Sequence, residues 1–281
     1  MADLVTELVL GDLPAQADLG FGELVSDAAL ARAERCGDPL ADDVMARLAR
    51  RRPSHPGDDV LAEVRFLAEV EGGVFRELLE ACCYVPAWAD FAAMEPGLHL
   101  VARAAPLSLA RSDAEPADRP EPAQELAQRL SDTGTDLLLL PLPGEVQPGG
   151  RHHSIVTRLR LVNAALRCQL AEGGGDLTRR GVPLNQAHLA TAVATFAYLT
   201  VAGMVRMGVP VSDDEIASTG LLWRWIGHVL GVDDDLIRLD SGAHVDRFRH
   251  LMAGEAARAH PAADALVAVE GALTALPRPL A

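Results

Sequence analysis

From Ala187 to Val205 the chain runs without a formal charge, and this segment constrains the fold more than any other. Its sequence is AHLATAVATFAYLTVAGMV, which is rich in alanine and threonine and carries His188. A segment of this kind must be shielded from water, either by a bilayer or by other helices of a globular core. Because it is weakly apolar and no basic cluster flanks it, we predict a central buried helix and no membrane span.

The helical period also dominates the rest of the chain. Apolar residues recur three and four residues apart, and no stretch alternates as a half-buried strand does. Helices are predicted at about 24–35, 40–52, 58–71, 74–83, 121–139, 154–172, 184–207, 213–230 and 241–272. Ser212 followed by Glu215 predicts a capping box that opens one helix, and Gly231 predicts its end. The sequence thus predicts one all-α domain over residues 1–281, with helix 184–207 at its centre and helix 154–172 beside it.

Two segments are predicted to be mobile. Residues 106–122 combine proline with charge, which is typical of a surface loop. Residues 1–20 form the other segment, and they lack the basic region of a secretory signal. We therefore expect a cytoplasmic protein.

Composition limits the partners and the chemistry. The formal net charge is −15, and all 25 basic residues are arginine. Such a chain repels phosphate backbones, so we expect no nucleic-acid partner. Without lysine, no side-chain amine is present to form a Schiff base. The four cysteines, Cys36, Cys82, Cys83 and Cys168, lack metal or redox spacing, and we expect buried free thiols in a reducing bacterial cytoplasm.

Residues 158–167, RLRLVNAALR, place polar side chains on an otherwise apolar helix. Arg160, Asn163 and Arg167 are three and four residues apart and share one face. They form either a solvated edge of a half-exposed helix or the polar part of a functional pocket. His152 and His153 precede this helix in a predicted turn, where we expect surface positions and no shared metal ion, because adjacent side chains diverge.

Five further segments accompany RLRLVNAALR in a fixed order: GDPLADDVMARL at 37–48, VPAWADFAAMEPG at 85–97, PGG at 148–150, PLNQAHLATAVATFAYLTVAGMVRMGV at 183–209 and LLWRWIGHVLGV at 221–232. Through these segments the chain resembles the haem-b oxygenase superfamily of latex-clearing (rubber) oxygenases and MpaB-type oxygenases. The resemblance implies an all-α fold of the same type, with a haem pocket between two helices.

The chain departs from this family at both positions that the resemblance assigns to iron. The proximal motif R-x-x-H-A-x-x-R corresponds to Arg160–Arg167, where Asn163 replaces the ligand histidine. The distal arginine, lysine and threonine of latex-clearing enzymes correspond to Arg129, Asp132 and Thr133 in RLSDT. A carboxamide is a poor iron ligand beside imidazole, so we expect no cofactor and no metal ligands.

Two functions of different classes follow from this comparison. The first is a haem-free enzyme that cyclises or isomerises a hydrophobic polyketide- or terpenoid-like substrate by acid–base chemistry in bacterial natural-product biosynthesis. The second is a haem-b oxygenase that cleaves carbon–carbon double bonds with dioxygen and uses His99 or His188 as an unusual ligand. A binding protein without catalysis is a third possibility, and no pattern in the sequence sets an oligomeric state.

The first function assigns roles to eight residues. The expected catalytic residues are Asp132, Arg129, Thr133 and Asn163, and the expected substrate-binding residues are Arg160, Arg167, Asn185 and Trp223. Asp132 is expected to act as a base, because a neighbouring arginine favours the ionised carboxylate.

Overall fold

A computed structural model describes residues 27–51, 60–112, 144–172, 182, 184–206 and 208–237. All regular secondary structure in these ranges is helical, which confirms the all-α prediction. The helices are α1 (Asp27–Ala33), α2 (Pro39–Leu48), α3 (Val60–Val70), α4 (Gly73–Cys83), α5 (Glu95–Ser112), α6 (Arg151–Glu172), α7 (Gln186–Arg206) and α8 (Asp213–Val229). The helices predicted at 121–139 and 241–272, and the mobile segment 1–20, lie outside the described residues.

Helix α8 lies at the centre of the described helices and packs against α4, α5, α6 and α7. Its start is the predicted capping box. The Ser212 hydroxyl accepts from the Glu215 backbone N–H at 3.3 Å, and the Glu215 carboxylate accepts from the Ser212 N–H at 2.8 Å. Gly231, with a φ of +80°, follows the end of the helix as predicted.

Helix α7, which contains the uncharged segment, is largely buried, but among the described helices α8 and not α7 holds the central position. Helix α7 packs against α1, α5 and α8, whereas α6 packs against α2, α3 and α8. Helix α8 is the central one of the described helices, because its side chains from Ser218 to Val229 are buried on nearly all sides, those of Trp223 and Trp225 included. Among the described residues, no helix has the length and apolar content that crossing a bilayer requires.

Helix α5 has no counterpart among the predicted helices, and part of it lies in residues 106–122, for which a mobile loop is predicted. The structure instead continues α5 through Pro106 to Ser112, and residues 113–122 lie outside the described part. Packing against α8 stabilises α5. A Cβ atom on Gly97 would lie 2.7 Å from the Thr219 backbone nitrogen, and the Gly97 N–H donates to Ser218 Oγ at 2.7 Å. Only glycine allows the two backbones to approach this closely. This contact with a distant segment stabilises α5, and the prolines near residue 106 give no sign of it.

The four cysteines are free thiols, but only Cys82 is buried. Cys36 and Cys83 are exposed and Cys168 is half-buried, so the prediction of buried thiols is wrong for these three. Cys82 and Cys83 differ because neighbouring residues point about 100° apart on a helix, and only Cys82 lies on the core face of α4. Burial raises the pKa of the Cys82 thiol.

Candidate functional site

The Arg160 guanidinium, on helix α6, is buried and pairs with Asp38 just before α2. Its Nε lies 2.6 Å from Asp38 Oδ2, and its Nη2 lies 3.1 Å from Asp38 Oδ1. Only 8% of the Arg160 side chain and 4% of the Asp38 side chain is exposed. Nη1 faces the buried Cys82 sulfur at 3.6 Å. The bidentate pair therefore joins α6 to the N-terminus of α2 in the interior of the protein.

Arg167 forms a second buried link between α6 and α2. Its Nε donates to Asp42 Oδ1 at 2.8 Å, and its Nη1 donates to the Leu184 carbonyl oxygen at 3.1 Å. Burial raises the pKa of Asp42, although the hydrogen bond and the charge of Arg167 act in the opposite direction. The two arginines are buried and ion-paired, so they are not a solvated edge of the helix. Arg167 Nη2 is nevertheless buried without a hydrogen-bond partner among the described residues. Substrate binding by Arg160 and Arg167 stays a prediction, which the complete pairing of Arg160 disfavours.

Asn163 lies at the border between this arginine face of α6 and a more accessible apolar face. The carboxamide is half-buried. Val162 and Leu166, on the apolar face, are 40% and 39% exposed, and Leu159 is half-buried. The surface next to Asn163 is therefore apolar and accessible. Three predicted catalytic residues cannot be placed against it, since Arg129, Asp132 and Thr133 lie outside the described residues.

Asn185, predicted to bind substrate, caps helix α7. Its Oδ1 accepts from the His188 backbone N–H at 2.9 Å, and its Nδ2 donates to the Val182 carbonyl oxygen at 3.0 Å. The side chain is buried, and both ends of its amide bind the backbone. Asn185 therefore has a structural role in this arrangement, as a helix-capping residue.

Trp223 is fully buried in helix α8. Its ring stacks on Phe196 of α7, with the ring centroids 5.2 Å apart. The indole N–H is buried and has no hydrogen-bond partner. Trp223 thus retains an unused donor, as Arg167 does at Nη2, and a role in binding stays a prediction.

Gln186 connects three of the motif segments, and sequence analysis did not identify it. Its Nε2 donates to the carbonyl oxygens of Gly37 and Gly231, each at 2.9 Å, and its Oε1 accepts from the Asp233 N–H at 2.9 Å. The segments that carry the family resemblance therefore converge on buried structural contacts. The PLNQ motif draws attention to this residue, but a motif does not distinguish a structural amide from one that binds a ligand.

His152 and His153 lie in the first turn of α6 and are buried, so the predicted surface turn is wrong. His153 Nε2 lies 2.9 Å from the Cys82 carbonyl oxygen, and its ring stacks near Trp225. Both ring nitrogens of His152 are buried and have no hydrogen-bond partner. The sequence pattern misses this burial because the helix begins three residues earlier than its apolar periodicity suggests.

Acidification is expected to destabilise the protein through His152. Burial and the neighbouring His153 lower the pKa of His152 from 6.5 to about 4. As the pH falls below 6.5, the unfolded chain binds a proton that the folded chain does not, so stability is lost between these two values. The expected loss at about pH 5 is about 2 kcal/mol relative to about pH 7.5. Urea unfolding at both pH values measures it.

The His152→Gln variant isolates this contribution, because glutamine does not titrate. Its free energy of unfolding should fall by about 2 kcal/mol less than that of the unaltered protein over the same pH interval. His99→Gln is the matched control, since the His99 side chain is 62% exposed. Equal pH dependence in His152→Gln and the unaltered protein would contradict a buried neutral imidazole.

The described residues do not fit a haem held as the resemblance implies. The ligand position is the carboxamide of Asn163, and imidazole is the preferred donor for iron. His152 has unpaired ring nitrogens but lies eleven residues earlier, about 16 Å along α6. His153 and His228 hydrogen-bond within the protein, and His99 is largely exposed. Within the described residues, no three His, Cys, Asp or Glu side chains form a cluster suited to a metal ion.

The chain matches one known protein family over most of its length. Residues 91–281 match the family described as ER-bound oxygenase mpaB/B'/Rubber oxygenase, catalytic domain. Neither a curated protein nor a solved structure gave a significant match. The matched region contains helices α5–α8, whereas Asp38 and Asp42, the partners of the α6 arginines, precede it. Since the match covers well over half of the sequence, the chain belongs to the mpaB/rubber oxygenase catalytic-domain family of enzymes.

Proposed function

We propose that this protein is a haem-free member of its family that cyclises or isomerises a neutral, hydrophobic polyketide- or terpenoid-like substrate in bacterial natural-product biosynthesis. The proposal rests on the residue at position 163, which is an asparagine. The flanking arginines are present and buried in ion pairs, but the position of the expected haem ligand holds a carboxamide. A carboxamide offers one donor group and one acceptor to an organic molecule and binds iron poorly.

The charge distribution around Asn163 supports a neutral substrate. Arg160 and Arg167 are the nearest cations along α6, and the carboxylates of Asp38 and Asp42, at the start of α2, neutralise them. The accessible side chains beside Asn163 are Val162 and Leu166, and the neighbouring Leu159 is partly buried against the core. An anionic substrate would find no unpaired arginine in this part of α6, whereas an apolar molecule with a carbonyl or hydroxyl group would match the surface.

The proposed chemistry is proton transfer by Asp132. In an isomerisation, the carboxylate removes a proton from one carbon of the substrate and returns it to another, so no oxidant is consumed. Arg129 and Thr133 would orient the carboxylate, and Asn163 would bind a substrate oxygen. These roles for the RLSDT segment rest on the sequence alone.

The alternative, a haem-b oxygenase with His99 or His188 as ligand, receives less support. The His99 side chain is 62% exposed and lies near Glu95 on α5. His188 lies in the first turn of α7, where its backbone N–H is held by Asn185. Neither residue belongs to α6, on which the proximal motif lies, so either would require a different placement of the cofactor.

Expression with ample haem precursor is expected to yield protein without stoichiometric iron. The Asn163→His variant should then gain haem, seen as a Soret band that survives gel filtration, because it restores the imidazole between the two arginines. The control is Val162→His, which adds an imidazole on the neighbouring accessible face. Stoichiometric haem in the unaltered protein would overturn the haem-free proposal, and equal haem gain by both variants would contradict the role of position 163.

A turnover experiment separates the two reaction classes. The protein is incubated with a panel of polyprenols and polyketide-like β-diketones in D₂O under nitrogen. The expected product is an isomer or a cyclised compound that has exchanged protons for deuterium and gained no oxygen. A parallel incubation in air tests the alternative, since cleavage products that form only in air, from this panel or from rubber latex, would favour the oxygenase.

A further inference from the structure

The turn that precedes α6 joins the beginning of this helix to α8. The Glu145 carbonyl oxygen accepts from the His153 N–H at 3.1 Å, and the Glu145 carboxylate accepts from the Arg151 N–H at 2.6 Å. The Val146 carbonyl oxygen accepts from the Trp225 indole N–H of α8 at 2.8 Å. The turn and the first residues of α6 therefore form one hydrogen-bonded unit that packs against α8.

His152 lies beneath this turn without a polar partner. The residue is 1% exposed, and among the described residues neither of its ring nitrogens has a hydrogen-bond partner. The aliphatic side chains around it are those of Val146, Val156, Ile226 and Val229. The space between them takes about one water molecule. A neutral imidazole can occupy this place, but one water cannot replace the hydration shell of an imidazolium.

The titratable groups near His152 do not compensate for a charge on its ring. His153 would add a like charge, although its own Nε2 lies 2.9 Å from the Cys82 carbonyl oxygen. The Glu145 carboxylate favours protonation of His152, but it is already bonded to the Arg151 N–H. The side chains that α8 contributes to the cavity walls are uncharged. Burial, together with the charge of His153, therefore lowers the pKa of His152 from 6.5 to about 4.

We propose that residues 145–154, the α6 start, form an acid-sensitive latch that separates from α8 when the His152 ring binds a proton. The buried imidazolium has neither an acceptor nor a hydration shell, so the charged ring moves into water. The turn moves with the ring, which breaks the bond between Val146 and Trp225. At neutral pH the uncharged ring stays in the cavity, and the latch is closed.

Two buried ion pairs confine this movement to the beginning of the helix. Arg160 and Arg167 hold the later part of α6 to Asp38 and Asp42, and neither pair involves the α6 start. We therefore expect the opening to end before Arg160 and to leave Asn163 in place. The inference does not depend on the reaction proposed at Asn163, and a failure of either leaves the other in place.

The pH dependence of the opening follows from the two states of the His152 ring. In the released form the ring is in water, where the pKa of histidine is about 6.5. As the pH falls from about 7.5 to about 5, the released form gains a proton that the closed form does not bind. The closed form is thus favoured above pH 6.5 and loses this advantage towards pH 4. Opening should become about 30-fold more favourable over that interval.

Amide hydrogen exchange of the full chain, followed by NMR at both pH values, measures the opening. Each rate is divided by the intrinsic rate of an unstructured chain at the same pH. The reporters are the N–H groups of His153 and Ser154 and the indole N–H of Trp225, whose acceptors lie in the turn. The Leu230 N–H, bonded to the Ile226 carbonyl oxygen in α8, reports global unfolding.

The reporters are expected to open about 30-fold more often at the lower pH, and low urea concentrations should leave this opening unchanged because it exposes little surface. Exchange at Leu230 should be slower and should rise with urea. Reporters that share the rate and the urea dependence of Leu230 at both pH values would mean global unfolding only, and would overturn the proposal.

The His152→Gln variant tests which group senses the proton. Glutamine does not titrate, so opening of the α6 start should change less than about threefold between the two pH values. His99→Gln is the matched control and should keep the 30-fold change, since the His99 side chain is 62% exposed. An unaltered pH dependence in His152→Gln would contradict the latch. If that variant does not fold, the pH profile of the unaltered protein decides, and a flat profile between pH 7.5 and pH 5 would contradict it as well.

Discussion

Replacing Asp38 by alanine is expected to lower the free energy of unfolding by about 3–5 kcal/mol. The substitution leaves the Arg160 guanidinium buried without its bidentate carboxylate, and an unpaired charge in the interior carries a large desolvation cost. It also removes the acceptor for the Ala41 N–H, which Asp38 Oδ1 binds at 3.2 Å at the start of α2. Urea unfolding, followed by circular dichroism, measures the loss.

The matched control is Asp43→Ala, which breaks an ion pair on the same helix. Asp43 and Arg47 are 45% and 50% exposed, and such a surface pair contributes less than about 1 kcal/mol. Adding Arg160→Leu to Asp38→Ala should recover part of the lost stability, because the uncompensated charge is removed. A loss below about 1 kcal/mol for Asp38→Ala would show that water reaches Arg160 and that the pair is not a buried link.

Replacing Asp132 by asparagine is expected to lower turnover by about 10²–10⁴-fold, with little change in folding or in KM. Asparagine keeps the shape of the side chain and removes its basicity. Arg129, three residues before it, favours the ionised carboxylate and hence a base. The measurement is kcat and KM, as a function of pH, on the compound that the anaerobic panel identifies.

Asp43→Asn is the control for this prediction. It makes the same exchange at an exposed carboxylate on the surface and should leave turnover unchanged. If Asp132 only neutralises Arg129, Asp132→Asn should lower stability and keep the rate. Full activity with an unchanged pH profile would remove Asp132 from the mechanism and leave Asn163 as a binding residue.

Local signals in the sequence predicted most of the described helices. The Ser212–Glu215 capping box and Gly231 bound α8 as expected, because caps satisfy backbone groups with residues a few positions away. Helix α5 was not predicted, because Pro106 is a typical helix-breaking residue. The contact that stabilises the helix, between Gly97 and α8, joins distant residues and leaves no local signal. The central position of α8 was missed for a similar reason, since a long uncharged run does not reveal which helices surround it.

The sequence by itself determined the all-α class, the family and the exchange of the expected haem ligand for Asn163, because each depends on local periodicity or on the residue at one motif position. Only the tertiary structure decided what the polar residues of α6 contact. Asp38 and Asp42 lie more than a hundred residues before their arginine partners, and His152 is isolated by side chains from α8 and the preceding turn. Charge pairing and burial depend on which distant segments meet, and spacing along one helix does not contain that information.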